Sequence, residues 1–203
     1  TTSPLQTLLS KSEGMPLKNI SISSDNKVCK GEVVITRFGI EGNAIYALSP
    51  EIQDRLSRLG KAVVHLDLKP GFSEQKVLDK LNHSTSKTTE TLKNKLKLSK
   101  THIHLLKALL TKEEFLSNEL LAKRIKQLPL HILSAAPLDE AISTTGGLAM
   151  SAIDENFVLK NIPNTYCIGE MLDWNAPTGG YLLQACFSMG VALARIFNTK
   201  AST

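Results

Sequence analysis

At 203 residues with a hydrophobic fraction of 42%, the chain is long enough for a real core, built as one large domain or two small ones. Three cysteines (Cys29, Cys167 and Cys186), an odd count without CxxC spacing, fit reduced thiols better than a disulfide framework, and Cys167 and Cys186 read as buried packing residues. The net charge of +5 is uneven: from His131 onward three basic residues stand against six acidic ones, leaving the first 130 residues at +8.

That basic excess lies on lysines scattered along amphipathic segments with few aromatics among them. The pattern fits a solvated face better than a nucleic-acid surface. No apolar run approaches the roughly 20 residues that span a bilayer. Thr1-Thr2-Ser3-Pro4 lacks the basic-then-apolar shape of a signal peptide. A cytoplasmic protein without membrane contact is therefore expected.

Residues 1–70 read as mainly β. Leu17 to Ile22 alternates apolar and polar residues, Asp25-Asn26-Lys27 is a turn, and Glu32 to Thr36 is a second strand. Gly39 and Gly42 punctuate a loop. Ala44 to Leu59 has helical spacing at Ile45, Leu48, Ile52, Leu56 and Leu59, with Gly60 as its stop, and Ala62 to Leu68 returns as a strand before Pro70-Gly71.

Residues 71–129 switch to a helical period. Val77 and Leu81, Leu92 and Leu96, then Ile103, Leu106 and Leu110, and finally Leu116, Leu120, Leu121 and Ile125 mark several short helices. Thr111 with Glu114 forms a capping box for one of them, and Pro129 closes the zone. His102 and His104, two residues apart on a helix, point to different faces and make no metal pair.

Residues 130–203 read as α/β. Leu130 to Leu133 and Tyr166 to Ile168 look like strands, and Asp154 to Leu159 like a turn and strand. The segment from Gly169 through Trp174 to Gly179-Gly180 leads into a long apolar helix ending near Phe197. Glycines where a helix begins expose the unpaired N–H groups of its first turn, which with the helix dipole favour an anion or an electron-rich heterocycle. A second glycine pair at Thr145-Gly146-Gly147 could converge on the same flat ligand. Glu170 and Asp173, placed beyond a strand, could accept hydrogen bonds from sugar or ribityl hydroxyls, or could be loop charges. Trp174 and Tyr181 could stack on an aromatic ring or pack at its rim.

At these residues the chain resembles the HI0933-like flavoproteins, the BaiN/YhiN-type group of FAD-dependent oxidoreductases. The resemblance rests on Thr145-Gly146-Gly147, Asp154-Glu155-Asn156, Gly169-Glu170-Met171-Leu172-Asp173-Trp174, and Pro177-Thr178-Gly179-Gly180-Tyr181-Leu182-Leu183-Gln184-Ala185. It extends upstream through the segment from Gly31 to Gly42. The resemblance implies a small β-barrel and a helical bundle inserted into a Rossmann-like FAD-binding domain, whose C-terminal part would be residues 130–203. It also implies that Gly169 and Glu170 belong to a motif whose acidic side chain meets the ribityl or pyrophosphate region, that Gly179, Gly180 and Tyr181 lie at the helix end facing the pyrimidine side of the isoalloxazine, and that Asp173, Thr178 and Leu182 are further cofactor contacts. Thr145, Gly146 and Gly147 would complete the cofactor contacts.

The implied activity is electron transfer between NAD(P)H and an acceptor through FAD, with a small-molecule substrate. The family's GxGxxG fingerprint is absent, since no three glycines have that spacing. With a first residue other than Met, this gives the expectation of a C-terminal portion of a longer flavoprotein, partnered by its missing N-terminal half of the FAD domain. The rival reading is a non-catalytic RNA- or protein-binding module that uses the basic first 130 residues.

Overall fold

The computed structural model describes residues 12–37, 39–141, 143–176 and 179–201, and divides the chain into two units, residues 1–135 and 136–203. The sheet of the first unit begins with β1 (Pro16–Ser24). Leu17 and Ile20 are three residues apart, the wrong parity for one face of a strand. A bulge between them, with Asn19 at φ 55°, absorbs the extra residue, so Leu17, Ile20 and Ile22 all reach the core. The expected alternation thus holds only because the strand breaks its own register.

The expected turn is a tight hairpin: Ser24 pairs with Lys27, and Asp25 takes φ 50°, a conformation that a short polar side chain tolerates. The chain returns as β2 (Lys27–Thr36), and the glycine loop forms a short edge strand, β3 (Gly39–Glu41). With β4 (Ala62–Asp67) and β5 (Leu128–Ile132) the order is β3-β2-β1-β4-β5, every pairing antiparallel, curled into a half-barrel.

The helix expected over Ala44 to Leu59 is two helices, α1 (Asn43–Tyr46) and α2 (Ser49–Leu59). Pro50 is the reason. It has no N–H to donate to the Tyr46 carbonyl and its ring would clash there, so the helix must restart, with Pro50 in the first turn where its missing donor costs nothing.

Five further helices follow: α3 (Glu74–Asn82), α4 (Thr88–Asn94), α5 (Lys100–Leu109), α6 (Lys112–Leu116) and α7 (Asn118–Lys126). Ser73, Ser99, Thr111 and Ser117 each cap a helix by accepting the N–H three residues on. The Thr111–Glu114 capping box is present, and the Arg124 Nε–H and Nη2–H both donate to Glu114 Oε1, at 2.9 and 2.7 Å.

The apolar faces of these helices, including Val77, Leu81, Leu92, Leu106, Leu121 and Ile125, share one core with Val64 and Leu66 of the sheet. Residues 1–70 and 71–129 therefore pack as a single unit. The strand expected to open the third zone instead pairs with β4, so the compact boundary falls after residue 135 rather than after 129.

The second unit, taken by itself, has no Rossmann-like parallel sheet among its described residues. The apolar triplet Tyr166 to Ile168 makes a single bridge, Tyr166 with Val158, and is only half-buried. Its neighbours satisfy their backbone locally: Cys167 N–H donates to the Phe157 carbonyl (3.0 Å), and Leu159 N–H to that of Thr165 (2.8 Å). Three residues without a strand on each side cannot extend a ladder. Asp154 Oδ1 accepts the N–H groups of Asn156 (2.9 Å) and Val158 (2.8 Å), so the Asp-Glu-Asn segment is a side-chain-braced turn.

The unit ends in α8 (Tyr181–Ala201). Contrary to the expectation that no apolar run reaches such a length, Tyr181–Thr199 is long and apolar enough to cross a membrane by length and composition. All three cysteines are free and half-buried rather than fully buried.

Two predictions follow from the first unit. Lys126 Nζ donates to Asp67 Oδ2 (2.6 Å), to the Lys69 carbonyl (2.9 Å) and to the Phe72 carbonyl (2.5 Å), with only 16% of its side chain exposed. Lys126→Met takes the counter-charge from a shielded carboxylate that keeps only the Lys69 N–H on Oδ1, removes one of two donors from the Lys69 carbonyl and removes the donor to the Phe72 carbonyl, and should lower urea-unfolding stability by about 2–4 kcal/mol. A change under about 0.5 kcal/mol would show that the three contacts are incidental.

The second concerns Glu114, whose carboxyl is held below the usual range first by the Thr111 backbone N–H and then by Arg124. A depressed folded value means that its contribution is complete above the unfolded value of about 4.3 and disappears as pH falls through and below that point. Glu114→Ala should cost about 1 kcal/mol at neutral pH, with the gap from wild type closing below about pH 4. A gap that persists unchanged in acid contradicts this reading.

Candidate functional site

The two glycine-bearing loops singled out in the sequence meet in the second unit. Leu148 N–H donates to the Met171 carbonyl (2.9 Å) and Asp173 N–H to the Leu148 carbonyl (2.7 Å), so Leu148 and Leu172 form a parallel bridge. Gly147 makes this possible. It sits at φ 131°, and a Cβ there would lie 2.6 Å from the Met171 carbonyl oxygen, which no side chain tolerates.

The bridge brings the acidic residues of one loop against the other loop. Glu170 Oε1 accepts the hydroxyl proton of Ser143 at 2.5 Å, and Asp173 Oδ1 accepts the Gly146 N–H at 3.2 Å. Both carboxylates are exposed, and each keeps a second oxygen for another donor. Thr145 is exposed at the tip.

Gly169, buried at φ 74°, anchors the loop onto α8. Its N–H points to Met189 Sδ (3.3 Å), and the Cys186 side chain lies in ordinary contact with the space where its Cβ would be. Trp174 donates its indole N–H to the Gly169 carbonyl (2.9 Å), so the indole braces this turn. Further along, Tyr166 packs on Phe197 with ring centroids 4.7 Å apart.

The helix itself begins at Tyr181. Gly179 and Gly180 adopt φ 114° and 86°, and Gln184 N–H is the first helical donor to close back, on the Gly180 carbonyl (2.9 Å). Both glycines are therefore required by the turn, yet among the described residues nothing lies within 4 Å of the Gly180 Cβ position, leaving its backbone open to approach on that side. Tyr181 is 61% exposed and Leu182 is half-buried. Thr178 lies outside the described residues.

Of the expected contacts, the structure joins Gly146, Gly147, Glu170 and Asp173 directly and ties Gly169 to the helix that Gly180 opens. Sequence reasoning missed Ser143 and Leu148, which hold the two loops together. Nothing in their local pattern marks them, because the pairing depends on a partner more than twenty residues away. Among the described residues no group of three His, Cys, Asp or Glu side chains is placed to hold a metal ion. What the arrangement offers is a cluster of acceptors on Glu170 and Asp173, with a helix N-terminus whose first-turn N–H groups are donors.

Residues 1–143 fit the family model described as the HI0933-like protein barrel and H2TH domain, a span that takes in the whole half-barrel and the helices packed on it. The chain belongs to the HI0933-like family.

Proposed function

We propose that the second unit supplies part of an FAD site and that the protein is an FAD-dependent oxidoreductase passing electrons between NAD(P)H and an acceptor. The HI0933-like family is associated with FAD oxidoreductases, which supports the coarse reading. The observation that carries the finer one is the convergence of the loops, with Gly146 N–H on Asp173 Oδ1 and Ser143 on Glu170 Oε1. Acceptors fixed by a neighbouring loop are pre-organised for a ligand's hydroxyl groups.

The residues present suit a flavin nucleotide. Glu170 keeps one oxygen for ribityl hydroxyls, and Gly180 leaves room for a flat ring against the backbone. The first-turn N–H groups of α8 and its dipole favour the electron-rich pyrimidine edge of the ring and its negative charge on reduction. FAD, when bound, supplies the redox chemistry, while the chain orients and tunes it.

Leu183, Phe187 and Val191, spaced four apart on one face of α8, are 60%, 63% and 52% exposed. Such a stripe fits a helix that packs against further structure of an FAD domain.

Two variants test the site in the full-length protein. Glu170→Ala removes an acceptor fixed by Ser143 and should weaken FAD by about tenfold, measured by flavin titration of the apoprotein. Wild-type affinity would remove Glu170 from the site. Gly180→Val places a branched side chain at a positive φ and in the open approach to the backbone, and should lower flavin occupancy with the first unit's circular dichroism unchanged. Full occupancy in that variant would show that the glycine serves the turn alone.

A further inference from the structure

Ser143 gives its hydroxyl proton to Glu170 Oε1 at 2.5 Å, because a carboxylate has only acceptors to offer. With that proton committed, Ser143 Oγ is left with lone pairs alone. Glu170 Oε2 is in the same position, and both residues are exposed. Among the described residues neither atom has a further hydrogen-bond partner. The pair therefore presents two acceptors side by side, one from each loop.

Their placement does not depend on the Ser143 contact alone. Leu148 N–H on the Met171 carbonyl (2.9 Å), Asp173 N–H on the Leu148 carbonyl (2.7 Å) and Gly146 N–H on Asp173 Oδ1 (3.2 Å) also hold the two loops together. Removing one hydroxyl thus leaves the loops joined. The chemistry of the pair selects the ligand group. Adjacent acceptors with no free donor between them suit adjacent hydroxyls, each of which has a proton to give. A phosphate is the wrong group here: its oxygens are acceptors too, and it would meet the negative charges of Glu170 and Asp173.

We propose that Ser143 is a direct ligand contact, with one hydroxyl of the ribityl chain donating to its Oγ and the neighbouring hydroxyl donating to Glu170 Oε2. The proposal rests on the paired loops being a flavin site, and it seats the ribityl chain rather than the pyrophosphate over Glu170. Ser143 then sets specificity. It recognises chain hydroxyls and contributes nothing to a flavin that lacks them.

The test uses the full-length protein, freed of flavin and titrated with riboflavin, with FAD and with a flavin carrying pentyl in place of ribityl, following the visible flavin bands. Ser143→Ala should weaken riboflavin and FAD about fivefold and leave the pentyl flavin unchanged, while Ser143→Thr, which keeps the hydroxyl, should stay near wild type. Unaltered riboflavin affinity in Ser143→Ala overturns the proposal. So does an equal loss for the pentyl flavin, which would make Ser143 a brace of the loops alone. A loss seen with FAD but not with riboflavin also overturns it, since the contact would then lie on the adenosine half. Should the pentyl flavin bind neither form, the riboflavin comparison decides. Wild-type protein that binds none of the three would remove the flavin site itself, and the proposal with it.

Discussion

A single ammonium group joins the two halves of the first unit. Lys126 ends α7, and its three protons meet Asp67 at the end of β4 and two carbonyls of the loop that follows, those of Lys69 and Phe72. Next to it, Leu68 N–H donates to the Ile125 carbonyl at 2.8 Å. Shielding a charge this far is costly unless every donor is answered, and here every donor is. These contacts tie the end of α7 to the end of β4 and to the loop that follows it. The same contacts fix the loop that carries Lys69 and Phe72, whose ring lies beneath Lys69, Lys76 and Lys80.

The second unit relies on a different constraint. It has little regular sheet, so its backbone groups are met by turns, isolated bridges and side chains, with Asp154 and Trp174 acting as local braces. The close approach of Gly147 to the Met171 carbonyl is the point at which two distant loops become one surface. Carboxylates that look like ligand acceptors in the sequence are also the residues that hold those loops together. These contacts between the loops explain how exposed side chains can keep a fixed orientation.

Local chemistry was the legible part of this chain. The Thr111–Glu114 capping box and the Asp25-Asn26 hairpin depend on residues a few positions apart, and both stand as the sequence implied. Pro50 was visible too, but the apolar spacing from Ile45 to Leu59 continued across the break and masked it. The odd spacing from Leu17 to Ile20 likewise concealed a bulge that only pairing with β2 reveals. Non-local facts were not legible: that Leu128–Ile132 completes the first sheet and that Ser143 reaches Glu170 both depend on what the fold brings near. The conjunction of the two glycine loops was legible from their common composition, while the means by which they join was not.

The central functional claim is that the paired loops and the α8 N-terminus serve a flavin. Its most direct measurement is the visible absorption spectrum of the full-length protein purified without added cofactor, followed by a second spectrum of the supernatant after denaturation. The account predicts flavin bands in the folded protein and release of FAD in near-stoichiometric amount. A colourless protein that also fails to take up added FAD would contradict it.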